Sequence, residues 1–178
     1  GYHNKPEETR KVITEDGGFR TGDRGRIDED GFLFITGRLK EQYKLENGKY
    51  VFPGGIEEDI RLVPYVANAM LYGEGKAFNS CLIVPDFEVL EKYAKQNGLS
   101  SDPHALVENP QVTQMIKEEI KSSLKGKYGG YEIPKRFVFI ADDFTIENGM
   151  LTQTMKLKRR KVVQQYQDHL EAQYQHKN

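Results

Sequence analysis

The feature that most narrows how this 178-residue chain can fold is an uneven supply of apolar side chains along it. The first 36 residues offer turn signals and short strand candidates, but few apolar residues and no helical period. Asp30-Gly31 sits between Arg26-Ile27 and Phe32-Leu33-Phe34-Ile35, the pattern of a tight hairpin, and Gly17-Gly18 and Gly22 mark further turns. A hairpin without a larger apolar face needs another sheet or a helix to rest on. From about residue 39 apolar stripes follow one another at strand and helix spacing. The chain therefore reads as a β-rich piece over residues 1–38 and a self-sufficient α+β unit over residues 39–178.

Within that unit, Asn47-Gly48 separates Tyr43-Lys44-Leu45 from Tyr50-Val51-Phe52, a second hairpin candidate. Pro53 opens a short helix with Ile56, Ile60 and Val63 on one face. Val66 to Tyr72 and Ser80 to Val84 read as strands. Asp86 is the expected N-cap of a helix that turns Phe87, Leu90, Tyr93 and Ala94 inward, with Glu88/Lys92 and Glu91/Lys95 paired on its wet side and Gly98 as its stop. Asn109-Pro110 starts a longer helix carrying Val112, Met115, Ile116, Ile120 and Leu124. Arg136 to Ile140 is a further strand. A last helix is expected from near Met155, with Val163, Tyr166, Leu170 and Tyr174 as its stripe. The fold class is α+β: a small antiparallel or mixed sheet flanked by helices.

Composition excludes several classes of function. Hydrophobic residues make up 37% and charged residues 30%, with ten Tyr and nine Phe, a globular rather than a disordered balance. A net charge of -1 provides no whole-chain field for nucleic acid or acidic lipid. The single cysteine, Cys81, rules out an internal disulfide framework, and its place in Ser80-Cys81-Leu82-Ile83-Val84 fits a small buried hydrophobe better than a nucleophile. No run approaches the ~20 apolar residues of a membrane span. Gly1 to Arg10 is polar and carries acids, unlike a signal peptide, so the expected address is cytoplasmic, with peripheral contact at the inner face of the membrane as a variant. A first residue of Gly rather than Met is consistent with a cut inside a longer protein.

Three constellations carry chemistry, each with a plain structural alternative. In Phe19-Arg20-Thr21-Gly22-Asp23 an acid follows a glycine turn, where its oxygens suit a ribose diol; alternatively, Asp23 closes its own turn through backbone N–H groups. Gly37-Arg38-Leu39-Lys40-Glu41-Gln42-Tyr43-Lys44 gathers three cations where the two parts meet, suiting a phosphate-bearing ligand held between domains, or simply a charged strand edge. Leu151-Thr152-Gln153-Thr154-Met155-Lys156-Leu157-Lys158-Arg159-Arg160-Lys161 runs a loop into a basic helix start. Positive charge there opposes the helix dipole, which invites an anionic partner. The alternatives are a solvated basic tail or a contact with nucleic acid or anionic lipid.

Order and spacing join these pieces. With the start Gly1-Tyr2-His3-Asn4-Lys5-Pro6-Glu7-Glu8-Thr9, the R-T-G-D box and the G-R-x-K-E box, the chain resembles the adenylate-forming (AMP-binding) superfamily of acyl- and aryl-CoA synthetases, luciferases and peptide-synthetase adenylation domains. Lys44-Leu45-Glu46-Asn47-Gly48-Lys49-Tyr50-Val51 and the ending Leu-Thr-x-Thr-Met-Lys-Leu-Lys-Arg look most like long-chain fatty-acid–CoA ligases. The resemblance implies the C-terminal end of a large nucleotide-binding domain over residues 1–38 and a mobile C-terminal cap domain over residues 39–178. It also implies a two-step ligase that uses ATP, Mg2+, a fatty acid and coenzyme A. Asp23 and Arg38 match nucleotide-binding positions, Lys40 the hinge, and Lys156 the lysine that contacts the carboxylate and α-phosphate in adenylation. Lys44 and the turn at Gly48 match the face that enters the site for thioester formation.

Some positions depart from the family pattern. Gln153 and Met155 stand where the last motif usually has Pro and Gly, and Tyr50 stands where aryl-CoA ligases carry Gln or Glu, so that role does not transfer. The phosphate loop, adenine-binding motif and acyl tunnel are expected upstream of Gly1, on the missing N-terminal domain of the same protein, and the fragment alone is expected to be inactive. Competing expectations are a synthetase that loads a carrier protein, and a basic module docking on nucleic acid or an anionic membrane through Lys156 to Lys161.

Overall fold

The computed structural model describes residues 1–175; the last three residues of the expected 39–178 unit lie outside the described residues. The N-terminal part holds a helix that the apolar pattern does not announce. Pro6 sits in the first turn of α1 (Pro6–Val12), with Glu7 and Glu8 near the N-terminus and Arg10 and Lys11 near the C-terminus, all complementing the dipole. The helix buries no residue, so it has no stripe to read. The expected hairpin follows: β1 (Asp23–Ile27) pairs antiparallel with β2 (Leu33–Arg38), with a bulge at Arg24/Gly25. Asp28 accepts from the N–H groups of Asp30 and Phe32, and Gly31 takes a φ of +86° that a side chain would resist. Ile27, Phe32, Leu33 and Ile35 remain 60–70% exposed, and no residue before Tyr43 is buried.

A single 3-10 turn, Leu39–Glu41, leads into the packed part of the molecule. β3 (Tyr43–Lys44) and β4 (Tyr50–Val51) form the second expected hairpin. Its base is fixed by Tyr43, whose buried hydroxyl donates to Asn79 Oδ1 at 2.7 Å, while Asn79 Nδ2 donates to the carbonyls of Tyr131 and Glu132. This buried amide is satisfied on both sides. α2 (Pro53–Arg61) then buries Pro53, Ile56, Glu57 and Ile60; Val63 is also buried but lies past the helix end.

The central sheet has the order β5-β6-β7, with β5 (Val66–Tyr72) antiparallel to β6 (Ser80–Pro85) and β6 parallel to β7 (Arg136–Phe139). A parallel pair needs a long crossover. Here it comprises α3 (Phe87–Asn97), α4 (Pro103–Glu108) and α5 (Pro110–Leu124). Asp86 and Asn109 cap α3 and α5 as expected, and Gly98 ends α3 in the left-handed region. Leu90 and Ala94 of α3 are buried, with Phe87 and Tyr93 packed against the core at partial exposure. Glu91 pairs with Lys95 at 2.7 Å, whereas Glu88 and Lys92 form no ion pair. α4 is too short to show a period and has no counterpart among the elements expected from sequence; Asp102 caps it by accepting from Ala105 N–H.

Every residue of β6 is buried, because helices cover both faces of the sheet. Cys81 and Ile83 face the side of α2, α3 and α5, together with Ile56, Ile60, Leu90, Ile116 and Ile120. Leu82 and Val84 face the other side, with Met150, Leu151 and the helix α6 (Arg159–Gln175). Cys81 is wholly enclosed and burial pushes its thiol well up, as befits a small hydrophobe rather than a nucleophile. α6 begins at Arg159 rather than near Met155, because the preceding residues fold into a hydrogen-bonded loop. It buries Val162, Tyr166 and Leu170, and Tyr166 interrupts its helical geometry. Val163 is only half-buried. Tyr174 anchors the far end by hydrogen bonds to Tyr72, Phe78 and Ser80.

Candidate functional site

The antiparallel register of β1 and β2 makes neighbours of the two sequence boxes. Asp23 opens β1 directly opposite Arg38, the last residue of β2, and the two form an ion pair with Arg38 Nε 2.9 Å from Asp23 Oδ1. The turn before β1 is not closed by the Asp23 carboxylate: Asp23 N–H donates to Thr21 Oγ1 at 3.0 Å. Asp23 Oδ2 accepts no hydrogen bond among the described residues, and the side chain is about a quarter exposed. Leu39 N–H donates to the Gly22 carbonyl at 2.8 Å, tying the start of the 3-10 turn that holds Lys40 to the first box. Arg24 stacks over the Phe52 ring with its guanidinium carbon 4.1 Å from the centroid.

Lys156 is presented by a loop with a defined shape. Leu151 bridges Leu157, Lys156 N–H donates to Thr152 Oγ1 at 3.0 Å, and Thr152 N–H donates to the Lys156 carbonyl at 2.8 Å. Lys158 N–H donates to the Met150 carbonyl at 2.8 Å. Met155 closes the turn at a φ of +60°, in the left-handed region that favours glycine. That conformation gives a physical reason for the glycine usual at this position of the motif, and Met155 adopts it at a cost that glycine would not bear.

Arg159 departs from the expectation for the basic segment. Its Nη2 donates to both carboxylate oxygens of Glu57 at 2.8 Å, and its Nη1 donates to the Leu71 carbonyl at 2.8 Å. Leu71 N–H completes the arrangement by donating to Glu57 Oε1 at 2.6 Å. So at this position the anionic partner is internal. Burial raises the Glu57 carboxyl above its usual range, opposed by the Arg159 guanidinium and the Leu71 N–H. Glu57 carries no functional expectation in the sequence. Its signal is spacing: Pro53, Ile56, Glu57 and Ile60 fall at i, i+3, i+4 and i+7, on the inward face.

One cleft of about 790 Å³ gathers most of the candidates. Asp23, Arg38 and Lys40 line it together with Met155, Lys156 and Arg159, and with Gly54, Gly55 and Glu57 of α2. A Cβ on Gly55 would come within 3.1 Å of the Thr36 carbonyl, so glycine allows α2 to begin close against β2. Lys44 and Gly48 are not among the lining residues. Lys44 lies on the β3–β4 hairpin with its Nζ 5.6 Å from the Tyr50 ring centroid, and Gly48 forms the tip at a φ of +83°. Among the described residues, no cluster of three or more His, Cys, Asp or Glu forms a metal cage. None of the described helices is long and apolar enough to cross a membrane.

Comparison with known proteins places the fold in a family. The family described as AMP-binding enzyme C-terminal domain matches residues 40–178. The long-chain-fatty-acid–CoA ligase FadD15 of Mycobacterium tuberculosis is 35% identical over 176 residues, an alignment covering 98% of this chain and 29% of the ligase. The chain thus spans under a third of the length of such a relative. Among solved structures, the adenylation domain of a carboxylate reductase from Mycobacterium chelonae aligns with a TM-score of 0.74 at 31% identity, over 98% of this chain and 26% of that one. The A-PCP didomain of a carboxylic acid reductase from Segniliparus rugosus, in complex with AMP, gives the same TM-score at 30% identity, over 98% and 23%. Motif order, fold and these matches converge: the chain belongs to the AMP-binding enzyme C-terminal domain family of the adenylate-forming enzymes.

Proposed function

We propose that the chain is the carboxyl-terminal part of an ATP-dependent long-chain fatty-acid–CoA ligase, with residues 1–38 ending its large nucleotide-binding domain and residues 39–178 forming its mobile C-terminal domain. In the first half-reaction a fatty-acid carboxylate oxygen attacks the α-phosphorus of ATP and pyrophosphate leaves. In the second, the thiol of coenzyme A attacks the acyl carbonyl and AMP leaves. The observation that carries this reading is the single cleft into which Asp23, Arg38, Lys40 and Lys156 all face, while Lys44 and Gly48 lie outside its lining.

The residues have chemistry suited to these roles. Asp23 spends one oxygen on Arg38 and leaves the other for ribose hydroxyls, a charge-assisted acceptor held in place by its own ion pair. Lys156 supplies a compact positive charge where two anions meet and negative charge grows at the α-phosphate. Lys40, in a lone 3-10 turn with no buried residue, sits where a backbone rotation disturbs the least packing. Rotation there would exchange the Lys156 face for the Lys44 and Gly48 face. Among the described residues the acids form no cage for a metal ion, so a Mg2+ ion used in this reaction would be carried by the nucleotide phosphates. The phosphate loop and acyl pocket belong to the missing domain, with which this chain acts.

The test is ATP–pyrophosphate exchange with a fatty acid. The full-length protein should exchange, and Lys156→Ala should lower the exchange rate by about 10²–10³-fold, the cost of removing one transition-state charge donor. Thioester formation from preformed acyl-adenylate should change much less, and the isolated 178 residues should not exchange. Robust exchange by the isolated chain would sink the division of labour. The likeness to the A-PCP didomain favours a second reading, in which a carrier protein takes the acyl group. Offering the full-length protein free coenzyme A against carrier protein separates the two.

A further inference from the structure

The bonds that shape the Lys156 loop are local. Leu151 to Leu157, Thr152 to Lys156 and Met150 to Lys158 hold its outline, but none of them reaches α2 or β5. Arg159 does, three residues beyond Lys156. We infer that Glu57 and Arg159 are positioning residues for Lys156, a clamp that fixes where the lysine sits on its domain. The inference rests on the proposed role of Lys156 in adenylation.

Three observations support the clamp. First, the geometry sets direction as well as distance. A planar guanidinium held by both oxygens of Glu57 and by the Leu71 carbonyl, all at 2.8 Å, cannot rotate without losing bonds, whereas a lysine would be held as a single point charge. Second, stability is a weak explanation for the pair. Glu57 is buried and Arg159 part-buried, and ion pairs taken out of water in this way can often be replaced by apolar side chains of similar volume without loss. Arg159 also opens α6, where a cation opposes the helix dipole. A locally unfavourable choice kept beside the cleft points to position. Third, Glu57, Leu71, Lys156 and Arg159 all lie within residues 39–178. The clamp therefore travels with the domain and holds Lys156 to it in any orientation. Thioester formation, assigned to the Lys44 face, does not depend on it.

The experiment uses the full-length protein with E57L/R159M, R159K and K156A. Pyrophosphate exchange and thioester formation from preformed acyl-adenylate are measured separately, with thermal unfolding as a check on folding. For E57L/R159M, exchange kcat should fall about 10²-fold, the loss expected from a misplacement near 1 Å, with KM for ATP little changed and thioester formation intact. R159K, which keeps the charge but loses the fork, should lower exchange about tenfold and likewise spare the second step. If E57L/R159M does not fold, R159K decides. Equal losses in both half-reactions mean a merely structural pair and overturn the clamp. So does normal exchange in folded variants while K156A is impaired. If K156A itself exchanges normally, the role of Lys156 falls and the clamp falls with it.

Discussion

Met155 holds a conformation that costs an L side chain roughly 1–2 kcal/mol, with nothing buried in return, since it is 65% exposed. Glycine would remove that strain while adding about 0.5–1 kcal/mol of unfolded-state entropy cost. Met155→Gly should therefore raise stability slightly, by about 0.5 kcal/mol, and Met155→Val should lower it by more than ~1 kcal/mol, because a branched Cβ tolerates this region least. Urea denaturation of the two variants against the parent chain checks both signs; a stabilised valine variant would refute the assignment. The same residue shows what a sequence conveys at this scale. The substitution for glycine is visible in the letters, but the loop's answer to it is not, because φ is set by bonds to Thr152 and Lys156 that only the folded backbone reveals.

At the scale of elements, α6 is held down by few side chains: Val162, Tyr166 and Leu170 are its only buried residues. Leu170→Ala should cost about 2–5 kcal/mol, the usual range for emptying a closed core position, and should shift the urea midpoint accordingly. A cost under ~1 kcal/mol would mean that the polar anchor at Tyr174 holds the helix instead. Elements with a clear period or a strong cap were legible from sequence. β5 and β6 follow from apolar runs between turns, and α3 and α5 from Asp86 and Asn109. Elements without a stripe were not: α1 buries nothing and α4 spans one and a half turns. The candidate site divides in the same way. Asp23, Arg38, Lys40 and Lys156 stand out as short boxes that one cleft gathers, whereas Glu57 depends on a partner 102 residues away, a separation that no local pattern encodes.

At the scale of the molecule, both core clusters begin at or after Tyr43, and nothing earlier is buried. Removing residues 1–38 should therefore leave the remaining domain folded, with an unfolding free energy within about 1 kcal/mol of the longer chain, because no buried side chain is lost with them and the contacts given up, such as Arg24 on Phe52, lie at the periphery. Circular dichroism with urea titration would show it; loss of cooperative unfolding would place part of the core in the hairpin. The hairpin has a practical consequence as well. β1 and β2 form a sheet of two strands, so each has one edge unpaired, and the pair presents Ile27, Phe32, Leu33 and Ile35 to water. Expressed alone, the 178-residue chain should grow turbid or dimerise as it is concentrated, while the form beginning at Leu39 stays monodisperse and is the better sample for spectroscopy.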